Sequence, residues 1–432
     1  MAKVINKNII QTVITQAPTF LSSIIVGIII TRLLGPEKKG VFILIQTNAQ
    51  LLVLFFGLSL DAGIVYFIAK KSMSVRNILG ISLYTLMFAY VSVSLMLYLT
   101  FRFQETSIFI PSNTSSQLYI GTVLFLMFFF QLTNSVLIAL LQGKKLFLKI
   151  NIINIVISIL NFVFFSCILL LDIQDKNLLK MILGVSVGVS FFHFCLLLFS
   201  LKNKIPFSIN LKLSVKQDIK PFFKYIFLTH VAIFLNFFNY RLDLWIIAYF
   251  LDNTRVGFYS LAVGTAQLLW MISTPLANVV RPYLIESDFG KKTIMLRYYA
   301  QLNFSITLVG AVVLFLCADY FIPLIYGSEF QESVLPFKVL LIGALFSGQT
   351  KLFATFTSAI NRNDINLYGV IVGLSLTILL DLILIPYLGI LGASITSSVA
   401  YISVYVFIYI KSVTSLGLPR CNYYFLIPKF LN

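Results

Sequence analysis

The chain has 432 residues, of which 59% are hydrophobic and 11% charged, with a formal net charge of +17. Soluble domains carry charge on about a quarter of their residues, so a soluble enzyme or binding module is excluded and an integral membrane protein is expected. The positive charge does not indicate nucleic acid, because Lys and Arg fall in short clusters between apolar runs with no soluble domain to present them; they read as topology signals and lipid-headgroup contacts.

A membrane-spanning helix needs about 20 apolar residues. Twelve runs qualify: 9–33, 41–68, 78–100, 117–141, 147–171, 178–201, 222–251, 257–285, 294–317, 334–360, 365–385 and 389–411. The first follows Lys3 and Lys7 as a signal peptide would. At about 25 residues it exceeds the 7 to 15 of a signal-peptide core, so it is expected to remain as an uncleaved first span.

Lys and Arg are unequally divided between alternate connections. The side of the N-terminus collects 21 of 32, including Lys70, Lys71 and Arg76, six lysines from Lys202 to Lys224, and Lys291, Lys292 and Arg297. The other side holds seven: Arg32, Lys38, Lys39, Arg102, Lys176, Lys180 and Arg255. Both termini are therefore expected in the cytoplasm. The longest outer connection, about 16 residues at 101–117, is too short for a catalytic domain. Gly290-Lys291-Lys292-Thr293 lacks the first glycine and the ending of a phosphate-binding loop, so ATP use is not indicated. Cys167, Cys195, Cys317 and Cys421 are scattered, and His193 near Cys195 has no partners at ligand spacing. Neither a metal site nor any cofactor is expected.

The chain repeats itself. Gly40-Val41-Phe42 with Ala49-Gln50-Leu51-Leu52 returns as Gly257-Phe258-Tyr259 with Ala266-Gln267-Leu268-Leu269, at a constant offset of 217. Lys70-Lys71-Ser72 with Arg76 returns as Lys291-Lys292-Thr293 with Arg297 at 221. Duplicated six-helix halves, as in many secondary transporters, are the natural reading. The expected division is an N-terminal bundle at 1–201, a basic cytoplasmic connector at 202–220, a C-terminal bundle at 221–412 and a cytoplasmic tail at 413–432. The halves are expected to rock about that connector.

Charges inside apolar runs are the candidate functional residues, because each costs roughly 2.5 to 3.5 kcal/mol at membrane depth on insertion scales and is retained for a reason. The stretch Asn239-Tyr240-Arg241-Leu242-Asp243 in the seventh span is foremost. Residues two apart do not face each other on a helix, so Arg241 and Asp243 are expected to serve different neighbours, Arg241 an anionic ligand and Asp243 structure or an ion. Lys351, deep in its span, is a second candidate for substrate. Arg281 and Arg32, nearer span ends, either join it or reach toward headgroups. Asp61 occupies nearly the same place in the first repeat as Arg281 in the second. His193 and His230 titrate near neutral pH and could carry protons, or be hydrogen-bonded structure. Pro18, Pro275 and the Gly184/Gly188 spacing read as kinks and packing features.

Several stretches resemble the polysaccharide transporter family of the multidrug/oligosaccharidyl-lipid/polysaccharide exporter superfamily, the O-antigen (Wzx-type) flippases in particular. They are Arg32-Leu33-Leu34-Gly35-Pro36-Glu37 with Gly40; Arg241-Leu242-Asp243 with the run from Val256 to Ala262; the run from Pro323 to Phe330; and Leu382-Ile383-Leu384-Ile385-Pro386 with the run from Gly389 to Ala393. Asp381 departs from the resemblance, standing where the family tends to show a neutral, asparagine-like residue; it joins the ion-coupling candidates. The resemblance implies an all-α, MATE-like fold of twelve transmembrane helices in two six-helix repeats around a central cavity. It also implies a lipid-linked oligosaccharide substrate on undecaprenyl pyrophosphate, carried from the cytoplasmic to the outer face of a bacterial inner membrane.

Fixed cations would offset the desolvation of a pyrophosphate crossing an apolar region, and Arg pairs with its oxygens through two hydrogen bonds. The expected partners are that substrate, membrane lipids, H+ or Na+ as coupled ion, and other polysaccharide-assembly membrane proteins. The alternative is a drug or small-molecule cation antiporter of the same fold, which would be expected to set carboxylates inside.

Overall fold

The computed structural model describes residues 2–71, 73–102, 117–171, 175–202, 216–418 and 423–424, with the backbone alone at 2–17, 175–176, 216–221, 225, 228 and 229. The described residues form α-helices, two 3-10 turns and short connections. In chain order the helices are α1 (Ala2–Gly57), α2 (Leu60–Ala69), α3 (Val75–Arg102), α4 (Gln117–Gly143), α5 (Phe147–Leu169), α6 (Asp175–Leu201), α7 (Lys216–Phe250), α8 (Asn253–Ala266), α9 (Trp270–Glu286), α10 (Phe289–Tyr326), α11 (Val334–Ala359), α12 (Asn363–Leu388) and α13 (Ile390–Leu416). Helix is one of the two solutions that satisfy every backbone polar group in lipid, and the one in which each segment does so by itself.

Among the described residues, eleven stretches are long and apolar enough to cross a membrane. The first, Pro18–Gly57, contains the break that separates the expected spans 9–33 and 41–68. That break corrects the sequence reading, because the chain stays helical where a connection was expected and turns only at Gly35, with φ 64° and ψ 178°. Glycine tolerates positive φ and Pro36 is preorganised to restart a helix, so the two residues make a bend with no loop. The expected span 41–68 is in turn broken at Leu58 and Ser59, with φ of 48° and 52°. Its counterpart, the expected span 257–285, is broken by a 3-10 turn, Gln267–Leu269. Both members of that pair of spans are therefore interrupted.

The duplication is visible in local geometry as well. The chain leaves α4 through Lys145 (φ 58°) and α11 through Asn361 (φ 61°), 216 positions later (361 − 145). The next amide reaches back five residues in both, from Leu146 to the Leu141 carbonyl at 2.9 Å and from Arg362 to the Thr357 carbonyl at 2.8 Å. This is the same left-handed helix stop twice.

The chain forms two compact units: residues to Pro18, Gly35–Gly40 and Leu235 onward make one, and Thr19–Leu34 with Val41–Phe234 make the other. In the latter, α4 packs on α6 around a core that includes Phe128, Leu124 and Ile182, and on α2 around one that includes Ile64 and Leu140. The Gly184/Gly188 pair is not a close helix contact, since a Cβ on Gly188 would meet nothing within 4 Å. In the unit with the C-terminal helices, α11 and α13 are central. Its core, with Phe353, Phe356 and Tyr405, also takes in Leu418 and Tyr423 beyond the end of α13. Of the expected connector, residues 203–215 lie outside the described residues, as does Cys421.

Candidate functional site

Hydroxyl groups are accommodated in these spans by back-bonding to their own helix, as Thr377 does to the Gly373 carbonyl at 3.1 Å and Ser394 to that of Ile390 at 2.9 Å. The carboxylates need more. Asp243 on α7 is 3% exposed and Asp381 on α12 is 0% exposed. The two lie close enough to interact as like charges.

Asp243 is well supplied with donors. The Tyr259 hydroxyl of α8 donates to its Oδ2, the Ser397 hydroxyl of α13 lies 3.3 Å from the same oxygen, and the Leu244 amide reaches Oδ1 at 2.9 Å. Tyr259 and Ser397 are also 3.0 Å apart. Arg241 acts electrostatically on Asp243 and on Tyr401, although it is only two residues from Asp243.

Asp381 contrasts with this, since neither of its carboxylate oxygens makes a hydrogen bond. The hydroxyl of Thr396 lies beside it and is likewise without a partner. Thr377, one turn before Asp381, sits 3.4 Å from the Asn239 side-chain oxygen. Four helices thus converge on one buried patch of two carboxylates, an amide and several hydroxyls. Oxygen-only donor sets of this kind suit hard cations, whereas soft metals prefer sulfur and nitrogen.

Lys351, on α11, belongs to the same unit. Its ammonium lies 4.6 Å from the centroid of the Trp270 ring, and Trp270 donates from Nε1 to the Ala344 carbonyl at 3.2 Å.

The remaining candidates stand elsewhere. Arg281, on α9, is exposed. Arg32, Asp61, His193 and His230 lie in the other unit. Arg32 is exposed near the Gly35 bend. Asp61 lines a pocket of about 630 Å³ with Tyr66, Lys70 and Gln142. His230 Nδ1 is 3.4 Å from the Ser59 hydroxyl, and His193 Nε2 is buried without a hydrogen bond. A second cavity, of about 640 Å³, is lined by Arg255, Glu332, Asp319 and Lys338. Its charges pair with one another, Arg255 with Glu332 and Lys338 with Asp319 at 2.7 Å, so it offers less free charge than the patch around Asp381.

Sequence reasoning singled out Asp243 and Asp381 separately and missed Tyr259, Thr377, Thr396 and Ser397 as their surroundings. The one available signal was spacing, Thr377 preceding Asp381 by four residues, one helical turn.

Buried charge within spanning helices, duplicated in sequence and in its helix stops, defines a multi-pass membrane protein. Residues 5–287 match the family model described as "Polysaccharide biosynthesis protein", and the chain belongs to that family. Among curated proteins none matches it. Solved structures share the fold. A lipid II flippase, MurJ, in an inward closed conformation superposes with a TM-score of 0.70 at 16% identity over 93% of this chain and 87% of that one. An inward-facing MATE family multidrug resistance transporter of the MOP superfamily gives 0.67 at 12% identity over 92% and 94%. The Vibrio cholerae MATE transporter VcmN gives 0.62 at 12% identity over 97% and 98%.

Proposed function

We propose that the protein is a flippase that carries an undecaprenyl-pyrophosphate-linked oligosaccharide, an O-antigen or related repeat unit, from the cytoplasmic to the outer face of a bacterial inner membrane. Transport is coupled to the entry of a cation, Na+ or H+, at Asp243 and Asp381. Membership of the polysaccharide biosynthesis family supports the substrate class. The observation that carries the coupling is Asp381, fully buried beside a second carboxylate with both oxygens lacking a hydrogen bond. Two such charges repel and are poorly solvated, so a cation shared between them relieves both costs. Arg241 and Lys351, half-buried in the same unit, supply positive charge for the pyrophosphate, and the distribution of Lys and Arg supports cytoplasmic termini.

Deleting the gene should abolish surface glycan while lipid-linked repeat units accumulate on the cytoplasmic face. Normal surface glycan together with new drug sensitivity would refute the assignment. That second outcome belongs to the other reading, a drug or small-molecule cation antiporter, which the buried carboxylates themselves favour.

A further inference from the structure

Three aromatic rings stand between the carboxylate pair and Lys351. Tyr240 and Tyr401 have centroids 5.5 Å apart, Tyr240 and Trp270 5.5 Å, and Trp270 and Tyr401 6.1 Å. They form a closed triangle in which each ring contacts the other two. Both ends are anchored. Tyr240 lies on α7 three residues before Asp243, and the Tyr401 hydroxyl lies beside that of Ser397, which in turn contacts Asp243 at 3.3 Å. At the other end, the Trp270 face carries the Lys351 ammonium at 4.6 Å. Trp270 is also the residue at which α9 begins, immediately after the 3-10 turn that interrupts the span. Packing of this kind has few alternative arrangements, and a helix interruption supplies a place for the chain to move between them.

We infer that Tyr240, Trp270 and Tyr401 form a positioning device that links cation occupancy at Asp243 and Asp381 to the placement of the Lys351 ammonium against the anionic end of the substrate. This rests on the function proposed above. A cation shared by the two carboxylates draws Asp243 away from Ser397 and Tyr259, the freed Ser397 hydroxyl turns toward that of Tyr401, and the ring triangle carries the shift to Trp270. Lys351, held on that ring by attraction to its face, moves with it. Coupling between two sites is reciprocal, so an anion drawn to Lys351 tightens cation binding by the same factor.

The chain has two tryptophans, and Trp245→Phe leaves Trp270 as sole reporter. The full-length protein in proteoliposomes at fixed pH would be titrated with NaCl against choline chloride, following Trp270 emission and, separately, binding of radioactive Na+. The expected result is a saturable change in emission that tracks Na+ binding. Geranyl pyrophosphate as anionic probe should tighten Na+ binding by about fivefold or more, within the usual range of coupling between sites. Tyr401→Phe should still bind Na+ but lose both the emission change and the tightening, which general destabilisation would not separate. Na+ binding with silent Trp270, or an unchanged response in Tyr401→Phe, overturns the inference and leaves the cation site standing. Absence of Na+ binding in the parent protein, together with Trp270 emission that stays constant when the pH is lowered, overturns both.

Discussion

Gly40 and Gly257 face each other's helices through the same contact made twice. A Cβ on Gly40 would fall 1.7 Å from the Asn253 carbonyl oxygen, and one on Gly257 would fall 2.0 Å from that of Pro36. The offset of 217 relates Gly40 to Gly257 and Pro36 to Asn253 alike, so the repeat read in the sequence is also a reciprocal backbone contact. Glycines that let backbones approach closely are a recurrent device of membrane helix pairs.

Gly40→Ala and Gly257→Ala should each destabilise the protein by at least the 1 to 3 kcal/mol, roughly, of ordinary overpacking, because the obstacle is backbone and cannot swing aside. Thermal unfolding of the detergent-purified protein would show it. Gly188→Ala, with open space around its Cβ, is the control that should leave the midpoint unchanged or raise it, since alanine is the better helix former.

Asp381→Asn keeps shape and removes one of two adjacent buried charges. It should leave folded protein at normal abundance, or somewhat more stable, while cation-dependent transport is lost. Asp243→Asn should lose the same dependence. Flipping in proteoliposomes with and without a Na+ gradient separates the two effects, and a Na+-stimulated Asp381→Asn protein would exclude the pair as the coupling site.

Arg241→Ala should hurt transport more than folding, and Arg241→Lys should rescue it only in part, because lysine keeps the charge and loses the two-pronged geometry. Surface glycan would be compared at matched membrane levels of protein. Disappearance of both variants from the membrane would mean that Arg241 serves mainly to balance Asp243, and full activity in the alanine variant would mean that another cation holds the substrate.

Tyr259→Phe removes the hydroxyl that donates to Asp243. Hydrogen bonds to charged groups contribute about 1.5 to 3 kcal/mol, so Na+ affinity measured directly should change while the ring continues to fill its site. An affinity equal to the parent's would place Tyr259 outside the cation's surroundings.

Tyr423, fully buried against Phe353 at 5.3 Å and Tyr409 at 6.0 Å, ties the segment after α13 into the core. Truncating a buried ring of this size costs about 3 to 5 kcal/mol, so Tyr423→Ala should lower the unfolding midpoint sharply, and Tyr423→Phe much less. A protein shortened after Leu416 that melts like the parent would show that this contact adds nothing.

Composition and hydropathy determined that the chain is a membrane helix bundle, because a segment in lipid has almost no alternative to helix. The offset of 217 determined that it is a duplication, the charges at Arg241 and Asp243 stood out since few residues are costly enough at membrane depth to be informative singly, and Asp381 was marked by its departure from the family resemblance. What tertiary structure alone decided was which charges meet. Asp243 and Asp381 are 138 residues apart in sequence (381 − 243) and share a buried patch only because α7 and α12 converge there. No periodicity encodes that convergence. Serine, threonine and tyrosine are common in apolar helices, where hydroxyls bond back to their own carbonyls, so nothing marked Tyr259, Ser397 or Thr396 in advance. The bend at Gly35 and the breaks at Ser59 and Gln267 escaped hydropathy for a related reason, since a span bent or interrupted stays as apolar as a straight one.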